Sequence, residues 1–146
     1  MTEQTDYEMY KFERASSMLR VHGILAVIFG GLGILGAILF SVITFFAALT
    51  DETIVAEDAV LVASIAAAFI FVFVLLPHIY LLISGMYLMK RPEPKTAKVL
   101  VIINLIVSVF WNLVIFIFAI IDLTQINDYE AGYNKLAHKH AKPTHQ

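Results

Sequence analysis

The chain contains no cysteine. That removes disulfides, thiolate metal sites, iron–sulfur clusters and thiol catalysis, and it leaves the redox compartment unmarked. Charge is scarce. Only 15% of the residues are Asp, Glu, Lys or Arg, against about a quarter in a soluble domain. The net charge is −2, so nothing points to nucleic acid. Four prolines and seven glycines punctuate 146 residues. Glycine-rich phosphate loops, nucleophile–base arrangements and carboxylate pairs inside an apolar segment are all missing. The reading that follows is non-enzymatic, with no cofactor and no bound metal.

What the sequence does contain is apolar. Hydrophobic residues make up 60% of it, and the mean hydropathy is +0.81. They fall into three blocks, residues 22–49, 59–89 and 99–126, each 28–31 residues long. A membrane-spanning helix needs about 20, so each block is long enough for one tilted or protruding span and too short for two. The third block lacks Gly and Pro and is therefore expected to be one helix. The alternative is a short helical hairpin breaking near Trp111–Asn112.

The connections predict the threading. Residues 50–58 carry Asp51, Glu52, Glu57 and Asp58 and no basic residue, whereas residues 90–98 carry Lys90, Arg91, Lys95 and Lys98. Lys11, Arg14 and Arg20 precede the first block. Short basic loops stay cytoplasmic, so the N-terminus and the "KRPEPK" loop are expected inside and the acidic loop outside. Three spans would place the C-terminal tail outside with Lys135, Lys139 and Lys142. A hairpin would return all ten basic residues to the inside. The first block is about twice the length of a signal-peptide core, and four acidic residues precede it. It is therefore read as a retained helix.

Both flanks look amphipathic. Ile126, Tyr129, Tyr133, Leu136 and His140 recur at helical spacing in the tail, and Tyr7, Tyr10 and Phe12 stand among charges in the leader. Such faces suit a membrane–water interface, although a partly ordered tail would read the same way.

Three groups of residues stand out as candidate sites. Gly23, Ala26, Gly30, Gly33 and Ala37 form one small-residue stripe on the first helix. A helix backbone can approach such a stripe closely, which favours packing within the subunit or to a neighbour over a ligand groove. Asn104, Ser108 and Asn112 lie four apart on one face of the third block. Counted along unbroken helices, His78 falls level with Ser108. Pro77 precedes it and frees the carbonyl of Phe73. A polar layer of His78, Ser84, Asn104, Ser108 and Asn112 is expected, serving either as interhelical glue or as a site for a proton, ion or ligand. The third group, Lys90, Arg91, Lys95 and Lys98, fixes topology or meets lipid head groups.

Other residues invite weaker readings. A haem bridging His78 and His22 fails on depth, because His22 sits at the cytoplasmic end of its helix, about 20 Å from the midplane. Asp122 reads as a solvated outer helix end. The tail histidines of "HKH" with His145 lack a defined metal geometry.

The block "GMYLMKRPEPKTAKVLVIINLIVSVF" (85–110) leads from a Gly-containing helix end through a basic turn into an apolar helix. Together with the Gly-rich first span it resembles small uncharacterised multi-pass membrane proteins of bacteria, over residues 20–130. Those proteins often break their last apolar block with Pro or Gly, and this chain does not. The resemblance implies a multi-pass protein of a bacterial plasma membrane and supplies no activity.

The expectation is therefore an all-α integral membrane protein with three transmembrane helices and amphipathic interfacial N- and C-terminal segments. Residues 1–21 form a cytoplasmic leader, 22–126 the membrane domain and 127–146 the tail. Its partners would be the lipid bilayer and either another membrane protein or further copies of itself. The expected role is an accessory or assembly subunit or a small homo-oligomer. The rival roles are a small transporter or channel, and a haem- or quinone-binding membrane anchor.

Overall fold

The computed structural model of the protein describes residues 2–50 and 56–141. The acidic pair Asp51 and Glu52, and the tail residues Lys142 and His145, lie outside them. All the elements described are helices: α1 (Thr2–Thr50), α2 (Ala56–Ile70), a π-helical turn (Phe71–Leu75), α3 (Leu76–Leu88), α4 (Pro94–Trp111) and α5 (Leu113–Ala141). Three helical stretches are long and apolar enough to cross a membrane: Asp6–Ala47, Val60–Leu88 and Pro94–Trp111.

Proline sets the interruptions. No proline falls in α1, which runs unbroken for 49 residues. Pro77 sits one residue into α3. Its ring crowds the carbonyl four residues earlier and it donates no N–H, and the preceding turn widens so that Leu76 N–H bonds the carbonyl of Phe71. Pro94 opens α4 after Glu93, the position where a missing N–H costs least. Between α3 and α4 the chain turns at Arg91, whose φ of 53° is left-handed.

The chain divides into two compact units, residues 1–26 with 84–146, and residues 27–83. In the first, the expected single helix over 99–126 is interrupted. Asn112 is extended, with φ −153° and ψ 91°, and α5 folds back along α4. Ala97 and Val101 of α4 share a core with Ala119, Ile126 and Tyr129 of α5, joined by Phe12, Ala15 and Leu19 of α1 and Leu88 of α3. Neither Gly nor Pro makes the break. Asn112 makes it, ending one helix and capping the next.

This packing also changes the role of the tail. The stripe expected at a lipid interface faces protein instead. Ile126 and Tyr129 are buried, and Tyr133 and Leu136 pack beside them. Tyr129 stacks on Phe12 at 5.5 Å between ring centres. Gly132 lies against the Phe12 side chain. In the leader, Tyr7 and Tyr10 remain exposed while Phe12 is buried.

The second unit is built from α1, α2, the π-turn and most of α3. A Cβ on Gly30 would come 2.7 Å from the Leu82 nitrogen and 2.8 Å from the His78 carbonyl oxygen, so two helix backbones touch there. Leu32, Leu35, Leu39 and Ile43 are 60–64% exposed, a surface suited to hydrocarbon rather than water.

Candidate functional site

Four side chains from four helical segments of the first unit meet in its interior. His22 of α1 and Asp122 of α5 approach at 2.5 Å, ring Nδ1 to carboxylate Oδ2. Asn104 Nδ2 of α4 lies 3.2 Å from His22 Nε2, and the Ser84 hydroxyl of α3 donates to Asn104 Oδ1 at 2.8 Å. All four are 0–1% exposed. With the ring neutral, every bond has a direction. Ser84 donates to the Asn104 oxygen, the Asn104 amide donates to Nε2, and Nδ1–H donates to Asp122.

Local structure brings them together. Gly23, next to His22, lets α1 reach α3, since a Cβ there would stand 2.7 Å from the Gly85 carbonyl oxygen. Ser84 precedes that glycine. The return of α5 at Asn112 brings Asp122 beside His22, so Asp122 is buried instead of forming a solvated outer helix end. Its Oδ1 is buried without a hydrogen-bond partner among the described residues, as is Gln125 Oε1 one turn further along α5.

The layer expected from sequence is thus redistributed. Ser84 and Asn104 belong to the cluster. Ser108 is buried beside it, and its hydroxyl donates to the Asn104 carbonyl at 2.5 Å within α4. Asn112 instead serves the helix break. Its N–H bonds the Ser108 carbonyl at 2.9 Å, and its side-chain oxygen accepts the Ile115 N–H at 3.1 Å, a helix N-cap. His78 lies in the other unit. Its Nδ1 donates to the Val74 carbonyl at 2.7 Å, within the helix turn loosened ahead of Pro77, and Gly33 makes room for its ring. Of the small-residue stripe, Ala26 and Ala37 are buried, while the neighbouring Gly36 has open space around it.

Sequence reasoning set His22 and Asp122 aside, each for its depth on an unbroken helix. The available signal was Asn112 itself, since Asn is a preferred N-cap residue.

The basic turn is held by the tail. Lys90, Arg91, Lys95 and Lys98 are exposed, and the Tyr129 hydroxyl donates to the Pro92 carbonyl at 2.7 Å. Burial, with Tyr133 nearby, pushes the Tyr129 phenol up to about 12, against the opposing pull of Arg91. Lys11 pairs with Asp128 at 3.8 Å, and Lys135 pairs with Glu8. His22 engages Asp122 and Asn104 through its two ring nitrogens, so axial ligation of a haem would break one of those contacts. Among the described residues, no group of three or more His, Asp or Glu side chains could hold a metal ion. No protein family, curated protein or solved structure matches the chain.

Proposed function

We propose that the protein is a non-enzymatic multi-pass membrane protein acting as an accessory or assembly subunit of a membrane complex, or as a small homo-oligomer. The observation that supports this best is the cross-helix bonding of its buried polar cluster. Ser84, Asn104, His22 and Asp122 bond one another across four helical segments. Such a cluster clamps helices together. A cavity of about 170 Å³ at the surface of the first unit is lined by Glu8, Lys11, Asp128, Ala131, Gly132 and Lys135, and not by the clamp.

The same fold favours a cytoplasmic tail. Tyr129 reaches Pro92 in the basic turn, and Lys135 pairs with Glu8 in the leader. Leader, basic turn and tail then lie on one side of the bilayer, and all ten basic residues obey the positive-inside pattern. The α4–α5 hairpin enters and leaves from that side. Cysteine introduced at Thr96 and at His138 of this cysteine-free chain should be labelled from the cytoplasmic side alone. Labelling of His138→Cys from outside would restore three full spans.

The subunit reading itself is tested by purification in mild detergent. A stoichiometric partner or a defined homo-oligomer is expected. A lone monomer that moves ions or solutes into liposomes would overturn it and favour the transporter reading, for which the buried His22–Asp122 pair is the supporting observation.

A further inference from the structure

We propose that His22 and Asp122 form a proton-binding site, filled from the surface past Gln125, and that its occupancy sets the direction of the hydrogen-bond chain through Asn104 to Ser84. The inference does not depend on which partner the protein has.

The pair holds two bases within 2.5 Å. In the neutral-ring arrangement one proton lies between them, on Nδ1, and each remaining donor of the chain is directed toward an acceptor. Two atoms can then take a further proton: Nε2, and Asp122 Oδ1, which is buried without a partner. A proton on Nε2 faces the amide nitrogen of Asn104, and two donors cannot share a bond. The amide must turn over. Its oxygen then accepts Nε2–H, its nitrogen donates to the Ser84 oxygen, and the Ser84 proton turns to another acceptor. The imidazolium formed faces the carboxylate, which stabilises it. Release of the proton reverses each step.

Among the described residues, the charged group bonded to the ring is Asp122. On α1 the neighbouring Arg20 is exposed. From α4, Asn104 meets the ring, and behind it stand Ser84 of α3 and, one turn on, Ser108. Facing it from α5 are Asp122 and the Phe118 ring, tilted at 6.5 Å. The site is therefore a buried carboxylate–imidazole couple bonded to neutral polar side chains.

The way in is marked by a second observation. Gln125 Oε1 is also buried without a partner, about 4.5 Å along α5 from Asp122. Gln125 lines a cavity of about 170 Å³ with Tyr7, Tyr10, Lys11, Arg14 and Asp128. Gln125, with its own orphan acceptor, thus lines a surface cavity one helical turn from the orphan oxygen of the couple. One water donating to both oxygens would complete a path for a hydrated proton.

The test is 15N NMR of the histidine rings in the full chain, reconstituted in phosphatidylcholine vesicles and titrated between pH 5 and 8, where an imidazole changes charge. The His22 signals are those absent from His22→Gln. Wild type should pass from the Nδ1–H tautomer to the doubly protonated ring. Asp122→Asn should move that midpoint down by about one pH unit or more, because the stabilising carboxylate is gone. Gln125→Leu should slow proton exchange while leaving the midpoint in place. Should His22→Gln fail to fold, the signals that shift in Asp122→Asn and persist in His78→Gln identify the ring. A His22 ring that keeps one neutral tautomer across the range overturns the proposal, as does an unmoved midpoint in Asp122→Asn. An unchanged exchange rate in Gln125→Leu overturns the entry route.

Discussion

The two units use the same kinds of polar side chain in opposite ways. In the first, Ser84, Asn104, His22 and Asp122 bond across helices over sequence separations of 20, 82 and 100 residues. In the second, Ser41 bonds the Ala37 carbonyl, Ser64 the Val60 carbonyl, and His78 the Val74 carbonyl, each within its own helix. A serine or histidine inside an apolar block therefore says little by itself. What decides its role is whether a partner from another helix can come within reach. In the first unit Gly23 and the fold-back at Asn112 make that approach possible. In the second, these three side chains bond local carbonyls, and the outer surface is rich in Leu, Ile and Phe. A membrane rewards both solutions, because each gives hydrogen-bond partners to polar groups away from water.

The sharpest way to break this contrast is to remove one partner of the first unit's cluster. Asp122→Leu strands the His22 Nδ1–H in the interior. A loss on the order of 3 kcal/mol is expected, the scale measured when one member of a buried pair is deleted. Asp122→Asn keeps an acceptor for that N–H and should lose much less. Melting of the two variants in the same detergent, read by circular dichroism, checks the order. Equal losses would mean that the cluster's hydrogen bonding does not hold the unit together.

The second unit has its own sensitive point, and it is steric. Gly30→Leu forces a side chain into the backbone of Leu82 and His78. About 2 kcal/mol of destabilisation is expected from overpacking of this kind. Gly36→Leu, placed in open space, should leave the melting temperature where it was. Similar behaviour of the two would show that the close approach of α1 and α3 contributes nothing.

These sensitivities also show what could be read in advance. The apolar blocks, the close-packing stripe and the polar face of α4 were legible, because they depend on residue type and on the period of a helix. The cluster was not. Its depth bookkeeping assumed a continuous helix over 99–126, which carried Asp122 to the far side of the membrane from His22. One capping residue, Asn112, reverses the chain and brings the two together. His78 misled for the converse reason. It looked like the ionisable centre of a layer, but a proline one position before it loosens the preceding turn, and its ring bonds one of that turn's carbonyls.

At the level of the basic turn the contrast is gentler. Tyr129→Phe keeps the ring stacked on Phe12 and removes the bond to the Pro92 carbonyl, for a loss of about 1 kcal/mol. It should also change the alkaline response. The phenol rises from 10.0 to about 12 in the folded chain. Between those values the unfolded chain releases its proton first, so the stability that Tyr129 contributes is intact below pH 10 and is lost as pH rises toward 12. Denaturation followed across this window should fall less steeply in Tyr129→Phe than in wild type. Parallel slopes would mean that the phenol is not held neutral by the fold.

The smallest effect belongs to the second unit's hydroxyls, and it tests the contrast directly. Ser64 is exposed, and its hydroxyl donates to the Val60 carbonyl at 2.7 Å. That carbonyl sits in the interior of α2, where the helix already offers it a backbone partner. Removing the hydroxyl therefore strands nothing. Alanine is also the better helix former by a few tenths of a kcal/mol. Ser64→Ala should change stability by less than about 0.5 kcal/mol. Ser84→Ala removes a hydroxyl of the same size, but it leaves the buried Asn104 oxygen without that donor, a loss of about 1–3 kcal/mol. The comparison holds residue type and substitution constant and varies the partner, a neighbouring helix or the serine's own, together with burial. If the two variants melt alike, cross-helix bonding has no special weight in this protein, and the division between a clamped unit and a self-satisfied one loses its physical meaning.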